Sequence, residues 1–339
     1  MWRISRRKTL TYLGTGWLGF LLSSGCLVVR RRADEKATHQ IQQDAVDFFA
    51  QIAAIKQKAP AKYSNQYQPP TRNELATFGD VADALFSHNI DQARELAIAV
   101  GYQLVKWKDT SSQQSFFGLI EKDNSQTSSR GWGSYFINPS ASNHIFVESP
   151  HILFDRFTPE IAAQVFLLSG ACGFLMAGAH RHANGSGTAD VCDPIASIFQ
   201  AVHKAWRSKE AQFWQIHGFA NPTAKGFPAT TNIVLSTGTG DVSPKVVQLQ
   251  EILQAWGYDS YVYNELPANH AFNQKLNGEI AGTTFSPLAA TENVQGISSR
   301  KMGASFIHIE IESSIRSTQK TRERVAQAIA RAIRNYSQN

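Results

Sequence analysis

Apolar residues recur at spacings of three and four over residues 33–58. Ile41, Ala45, Phe48, Phe49, Ile52 and Ile55 mark the stripe of an amphipathic helix. Residues 59–71, APAKYSNQYQPPT, lose that period, gather Pro, Ser and Asn, and read as a linker. Two short helices are expected over 73–100. The period then changes: runs at 102–107, 116–120, 132–137 and 144–147 predict short strands joined by polar turns. From residue 158 the two patterns alternate. Helix 159–168 precedes strand 173–176, helix 196–206 precedes strand 213–216, and strand 232–236 precedes helix 245–256. Strands 260–263 and 304–311 lead to a last helix, 318–336. Helices interleaved with strands predict an α/β layered sheet. Such sheets place ligands at the carboxyl ends of their strands.

One segment fits neither period. Residues 9–29, TLTYLGTGWLGFLLSSGCLVV, hold no charge over 21 positions. At about 1.5 Å per helical residue this is enough to cross a bilayer core of roughly 30 Å. Arg3, Arg6, Arg7 and Lys8 precede it, and Arg30, Arg31 and Arg32 follow. The 339-residue chain carries a net charge of +6, but residues 1–32 hold seven basic residues and no acid, so the remainder stands at −1. The excess charge is an N-terminal feature, which counts against a nucleic-acid-binding face on the body. With 42% hydrophobic and 18% charged residues the body is a globular chain with a real core. Residues 5–10 resemble a twin-arginine export signal, with Thr9 where that pattern prefers Phe. Residues 24–26 resemble the end of a lipoprotein cleavage box, which would make Cys26 a lipidation site. The plainer alternative is an uncleaved anchor. Both lead to an exported protein tethered to the bacterial inner membrane and facing the periplasm. The expected organisation is a signal or anchor at 1–32, a helical extension at 33–100 and an α/β catalytic domain at 101–339.

Polar, metal-capable residues cluster on or just after the apolar strands. They occur in IFVESPHILFD (145–155), FLMAGAHRH (174–182), FWQIHGF (213–219) and FIHIEIE (306–312). In the last, alternation sends His308, Glu310 and Glu312 to one face. These types suit a hydrolytic zinc centre, which needs three N/O ligands, an open position for water and a separate carboxylate as base. His151, Asp155 and His217 are the candidate ligands and Glu310 the candidate base, with Glu312 as its rival. His180 and His182 are alternative ligands or orienting groups. Arg181 would grip a substrate carboxylate or else pair with Asp190 or Asp193. Thr158 is expected at the N-cap of helix 159–168, with Pro159 in its first position. Glu148 is expected to support the site or the fold instead of binding metal, Cys172 and Cys192 to be free core thiols, and Trp107, Trp132 and Trp214 to be core aromatics.

The segment PHILFDRFTPEIA (150–162) resembles the zinc-binding segment of the poly-gamma-glutamate hydrolases, in which a His is followed by a carboxylate and a Thr-x-Glu-(Ile/Leu)-Ala helix start. His217-Gly218, 66 residues after His151, resembles their second zinc His in a His-Gly turn, and Glu310 with Arg316 resembles their late catalytic Glu followed by an Arg. The similarity spans residues 145–316, and Asp155 stands one position closer to its His than the family's Glu. It implies a three-layer mixed sheet of the zinc-carboxypeptidase type flanked by helices. It also implies zinc on His151, Asp155 and His217, and a place for Arg316, beside strand-end Arg181, in meeting a substrate carboxylate. The expected substrate is a gamma-glutamyl or cell-wall peptide amide. The alternative is a non-catalytic module of the same fold that binds a carboxylated ligand or wall polymer.

Overall fold

The computed structural model describes residues 41–122, 129–282 and 288–337; the apolar segment 9–29, the basic pair at 6–7 and Cys26 lie outside them. The chain runs β1 (Gln43–Val46), α1 (Phe48–Gln57), α2 (Arg72–Phe86), α3 (Ile90–Ala99), β2 (Tyr102–Asp109), β3 (Ser115–Glu121), β4 (Ser134–Ile137), β5 (Ile145–Ser149) and α4 (Thr158–Ser169). It continues with β6 (Gly173–Met176), α5 (Ile198–Trp206), β7 (Gln212–Phe219), β8 (Ile233–Ser236), α6 (Pro244–Ala255) and β9 (Ser260–Val262). The last elements are α7 (Ala271–Asn277), α8 (Val294–Met302), β10 (Ser305–Glu312), α9 (Ser313–Ser317) and α10 (Gln319–Ser337). No helix among the described residues is long and apolar enough to cross a membrane.

The strands form one mixed sheet in the order β1-β2-β3-β4-β6-β5-β7-β10-β8-β9. Its centre, β6-β5-β7-β10, is parallel, so these four strands end on the same edge. Helices flank both faces, and alternation along the strands shows how. On β6, Phe174 packs toward Phe48 of α1 and Phe166 of α4, while a Cβ on the preceding Gly173 would meet Phe146 and Trp206 of α5. Successive residues point to opposite faces, so α1 and α4 lie on one side and α5 on the other. Phe48 sits wholly buried among Phe116, Phe136, Phe166 and Phe174, with ring centroids 4.6–6.4 Å apart. Trp206 anchors the opposite layer by donating its indole N–H to the Ala82 carbonyl of α2 at 2.9 Å.

The amphipathic helix expected over 33–58 needs correction. Residues 43–46 are β1, which pairs in parallel with β2, and the helix starts at Phe48. Asp47 ends the strand by capping: its side chain accepts the Ala50 N–H at 3.0 Å. Residues 41–339 cluster as one compact unit, so the segment read as a helical extension supplies an edge strand and core helices. The expected linker is also fastened down. The Tyr63 and Asn65 N–H groups donate to the carbonyls of His182 and Ala183 at 2.8 and 2.9 Å, and Pro60 O accepts the His180 N–H at 2.9 Å. Tyr63 and Asn65 both hold positive φ, 59° and 55°.

Candidate metal centre

The site forms where the parallel strands end. His151 lies just past β5, in the turn leading into α4. The turn is closed by Asp155 N–H to His151 O at 2.8 Å and by Thr158 N–H to Asp155 O at 3.1 Å. Phe157, at φ 70°, is the residue that caps α4. Thr158 is therefore the first helical residue instead of the N-cap, and its hydroxyl donates to Asp155 O at 2.8 Å. His217 lies inside β7, and the parallel register with β10 sets it beside Glu310. Gly218 follows because a Cβ there would land on the Arg316 guanidinium.

The rings of His151 and His217 converge. Nδ1 of each lies 3.2 Å from the same oxygen, Asp155 Oδ2, and their centroids are 4.7 Å apart. All three residues are buried. Two ligands of a tetrahedral zinc, each at about 2 Å, stand about 3.3 Å apart; both Asp155–imidazole separations match this, and the three donor atoms lie within 4.8 Å of one another, so the residues present suit the ion. Each imidazole is backed on its other nitrogen: His151 Nε2 lies 3.0 Å from Asp190 Oδ1, and His217 Nε2 lies 2.8 Å from Gln215 Oε1. Such partners orient metal-binding imidazoles. Burial alone would lower the pKa of His151, but Cys192, Asp155 and Asp190 outweigh it and hold it well above the usual range. His217 is held at about 9 against burial by its hydrogen bonds to Asp155 and Cys192. Burial would push Asp155 up, yet the two imidazoles hold it below the carboxylate range.

Glu310 faces this group from β10. Its Oε1 lies 3.6 Å from His308 Nε2, its Oε2 has no partner, and burial pushes its pKa up to about 7. Glu312 instead accepts from the Ser313 hydroxyl and the Ser314 N–H, both at 2.6 Å, and caps α9. Of the two, Glu310 is the carboxylate turned toward the ligands.

The expected arginines sit differently from each other. Arg181 pairs with Asp190 and lies over the Phe154 ring at 5.3 Å, leaving its side chain 28% exposed at the rim. Arg316 is buried and donates to the carbonyls of Ile311, Phe219 and Arg156. That corrects its expected place on the substrate: it ties together the ends of β7, β10 and the ligand turn. His180 and His182 join none of the metal-capable groups found among the described residues. His180 Nδ1 accepts the His182 N–H at 3.0 Å. Cys172 and Cys192 are free, and Cys192 Sγ lies 4.0 Å from His217 Nε2. Trp107, Trp132 and Trp214 are buried core residues. Sequence reasoning gave no role to Gln215, which strand alternation places on the His217 face, and saw Asp190 only as an arginine partner. Nothing in the spacing points from Asp190 to His151.

The chain is similar to a bacteriophage poly-gamma-glutamate hydrolase of known structure. The superposition covers 63% of this chain and 94% of that one, at 13% identity and a TM-score of 0.43. A metallo-carboxypeptidase from Burkholderia cenocepacia matches over 80% of this chain and 71% of its own, at 10% identity and a TM-score of 0.36. No family model matches the chain, and no curated protein sequence matches it.

Proposed function

We propose that the protein is a zinc-dependent amidohydrolase, tethered by its first 32 residues and exported to the outer face of the inner membrane. The observation that supports the chemistry is the convergence of two Nδ1 atoms on one Asp155 oxygen, faced by the unpartnered carboxyl oxygen of Glu310. A bound zinc would supply Lewis acidity toward a carbonyl oxygen and toward water. His151, Asp155 and His217 would hold it. Glu310 takes the proton from the attacking water and delivers it to the leaving amine, work that suits a carboxyl whose pKa lies near neutrality. Asp190 and Gln215 keep the imidazoles aimed. Arg181, at the rim beside half-exposed Phe154, is the cation placed to meet a substrate carboxylate. That favours amides of glutamate-like or peptide-stem substrates, and an envelope location would bring cell-wall peptides or gamma-linked glutamyl chains within reach.

Asp155, one position closer to its His than in the resembled family, still reaches both rings, which favours the enzyme over a metal-free binding module. Metal analysis of residues 33–339 decides between the readings. About one zinc per chain, with amide cleavage across a panel of gamma-glutamyl and muropeptide substrates that is lost in His217→Ala, is expected. Metal-free protein that still binds such ligands would reinstate the module. For the tether, the full chain should partition with membranes and residues 33–339 should not.

A further inference from the structure

Behind His217 runs a polar chain of which the proposed reaction uses only the first member, Gln215. Gln215 Oε1 faces His217 Nε2 at 2.8 Å and also accepts from Asn293 Nδ2 at 2.7 Å. Gln215 Nε2 donates to Glu148 Oε2 at 2.9 Å. Glu148 Oε1 lies 2.8 Å from His203 Nδ1, and Ser299 Oγ lies 3.2 Å from His203 Nε2. Glu148, His203, Gln215 and Ser299 are all 0% exposed. The β5–β7 register sets Glu148 beside Gln215, α5 brings in His203, and α8 brings in Ser299.

An amide can turn over, and a turned Gln215 would put its NH2 group against His217. Two neighbours forbid it. The Glu148 carboxylate only accepts, so it demands the amide NH2. The Asn293 NH2 only donates, so it demands the amide oxygen. With Oε1 fixed toward His217, Nε2 must carry the hydrogen, and the Nδ1 lone pair is left for an ion beside Asp155. We propose that Glu148 is a positioning residue that, through the Gln215 amide, holds His217 in the tautomer whose Nδ1 binds the metal. This rests on the metal centre proposed above. His203 takes one carboxylate oxygen and leaves the other for Gln215. A buried carboxylate is unfavourable unless paired, and here the pairing is complete and leads to the back of one imidazole.

Glu148→Gln keeps the size and the bond to His203 but can face Gln215 with either end of its amide. Zinc affinity, measured by competition with a chromophoric chelator, should fall about tenfold or more. The metal-free melting temperature, followed in parallel, reports the fold. The exchange Glu148→Gln with Gln215→Glu again sets an acceptor against His217 and a donor against the relocated carboxylate. It should recover most of the lost affinity. In zinc-loaded wild type, nitrogen–proton correlation spectra should show the His217 hydrogen on Nε2, an experiment that needs no variant. A hydrogen on Nδ1, unchanged affinity in Glu148→Gln, or a folded exchange variant that recovers nothing would overturn the positioning role. Wild type that takes up no zinc removes the metal centre and this role together. Wild type that binds zinc tightly but cleaves no amide removes only the proposed activity.

Discussion

Glu310 and Glu312 leave β10 on the same face, two residues apart, and end in opposite circumstances. Glu312 is claimed by the first turn of α9, where the Ser313 and Ser314 hydrogen bonds outweigh burial and hold its pKa below the usual value. Glu310 keeps a bare oxygen among the ligands. Glu310→Gln should therefore lower kcat by about 10²–10⁴-fold with zinc content unchanged, the loss typical of removing a general base. Glu312→Gln should leave kcat within a few fold and lose about 1 kcal/mol of stability with the cap. Steady-state kinetics and metal analysis of both variants check this. Strand alternation could place both acids on the site face but could not choose between them, because the choice depends on the helix that follows. Arg316 teaches the same lesson. Its spacing from Glu310 was visible in sequence, while its three carbonyl partners come from three separate segments. Gly218→Ala would drive a methyl group into that guanidinium. The variant should lose about 1–3 kcal/mol and, because His217 is adjacent, bind zinc more weakly.

At the level of elements, the junction of β1 and α1 depends on a residue far along the chain. Asp109, at the end of β2, accepts the Phe48 N–H at 3.0 Å and the Ser112 N–H at 2.6 Å. Burial would raise its pKa, but these bonds outweigh burial and hold it below the usual carboxylate range. The folded chain thus binds this proton more weakly than the unfolded one. The contribution is full above the unfolded value and fades as pH falls through the folded one. Asp109→Ala should lose about 2 kcal/mol at pH 7, and the gap to wild type should narrow in urea unfolding near pH 3. The longer elements β2, β3, β7, β10, α4–α6 and α10 were legible from their length and apolar pattern, and the short strands β5, β6 and β8 as apolar runs buried along their whole length. β1 was not: its four residues QDAV are mostly exposed on the sheet edge, so no alternation marks them. Polar α8 and five-residue α9 carry too few apolar positions to show a period.

For the whole molecule, the centre needs no ion to hold its shape, because carboxylates and amides already orient each ring. Stripping metal should leave far-ultraviolet circular dichroism unchanged. Zinc at a hundredfold excess over Kd should add about 2.7 kcal/mol, a rise of several degrees in Tm that His217→Ala abolishes. The candidate ligands were visible because histidines at strand ends stand out in a sequence. Their supports were hidden because Asp190 and Gln215 are ordinary residues made special only by the folded chain. The stretch at 59–71 is the clearest case of a segment changing meaning. Its backbone is bonded to residues 180–183, the loop that carries Arg181, and Tyr63 stands 65% exposed at its crest. A protease cut beside Tyr63 would not separate two independent pieces, as a nick in a loose tether would. It would release the brace on the rim, so the nicked protein should stay folded while losing grip on substrate, seen as a raised KM at nearly constant kcat.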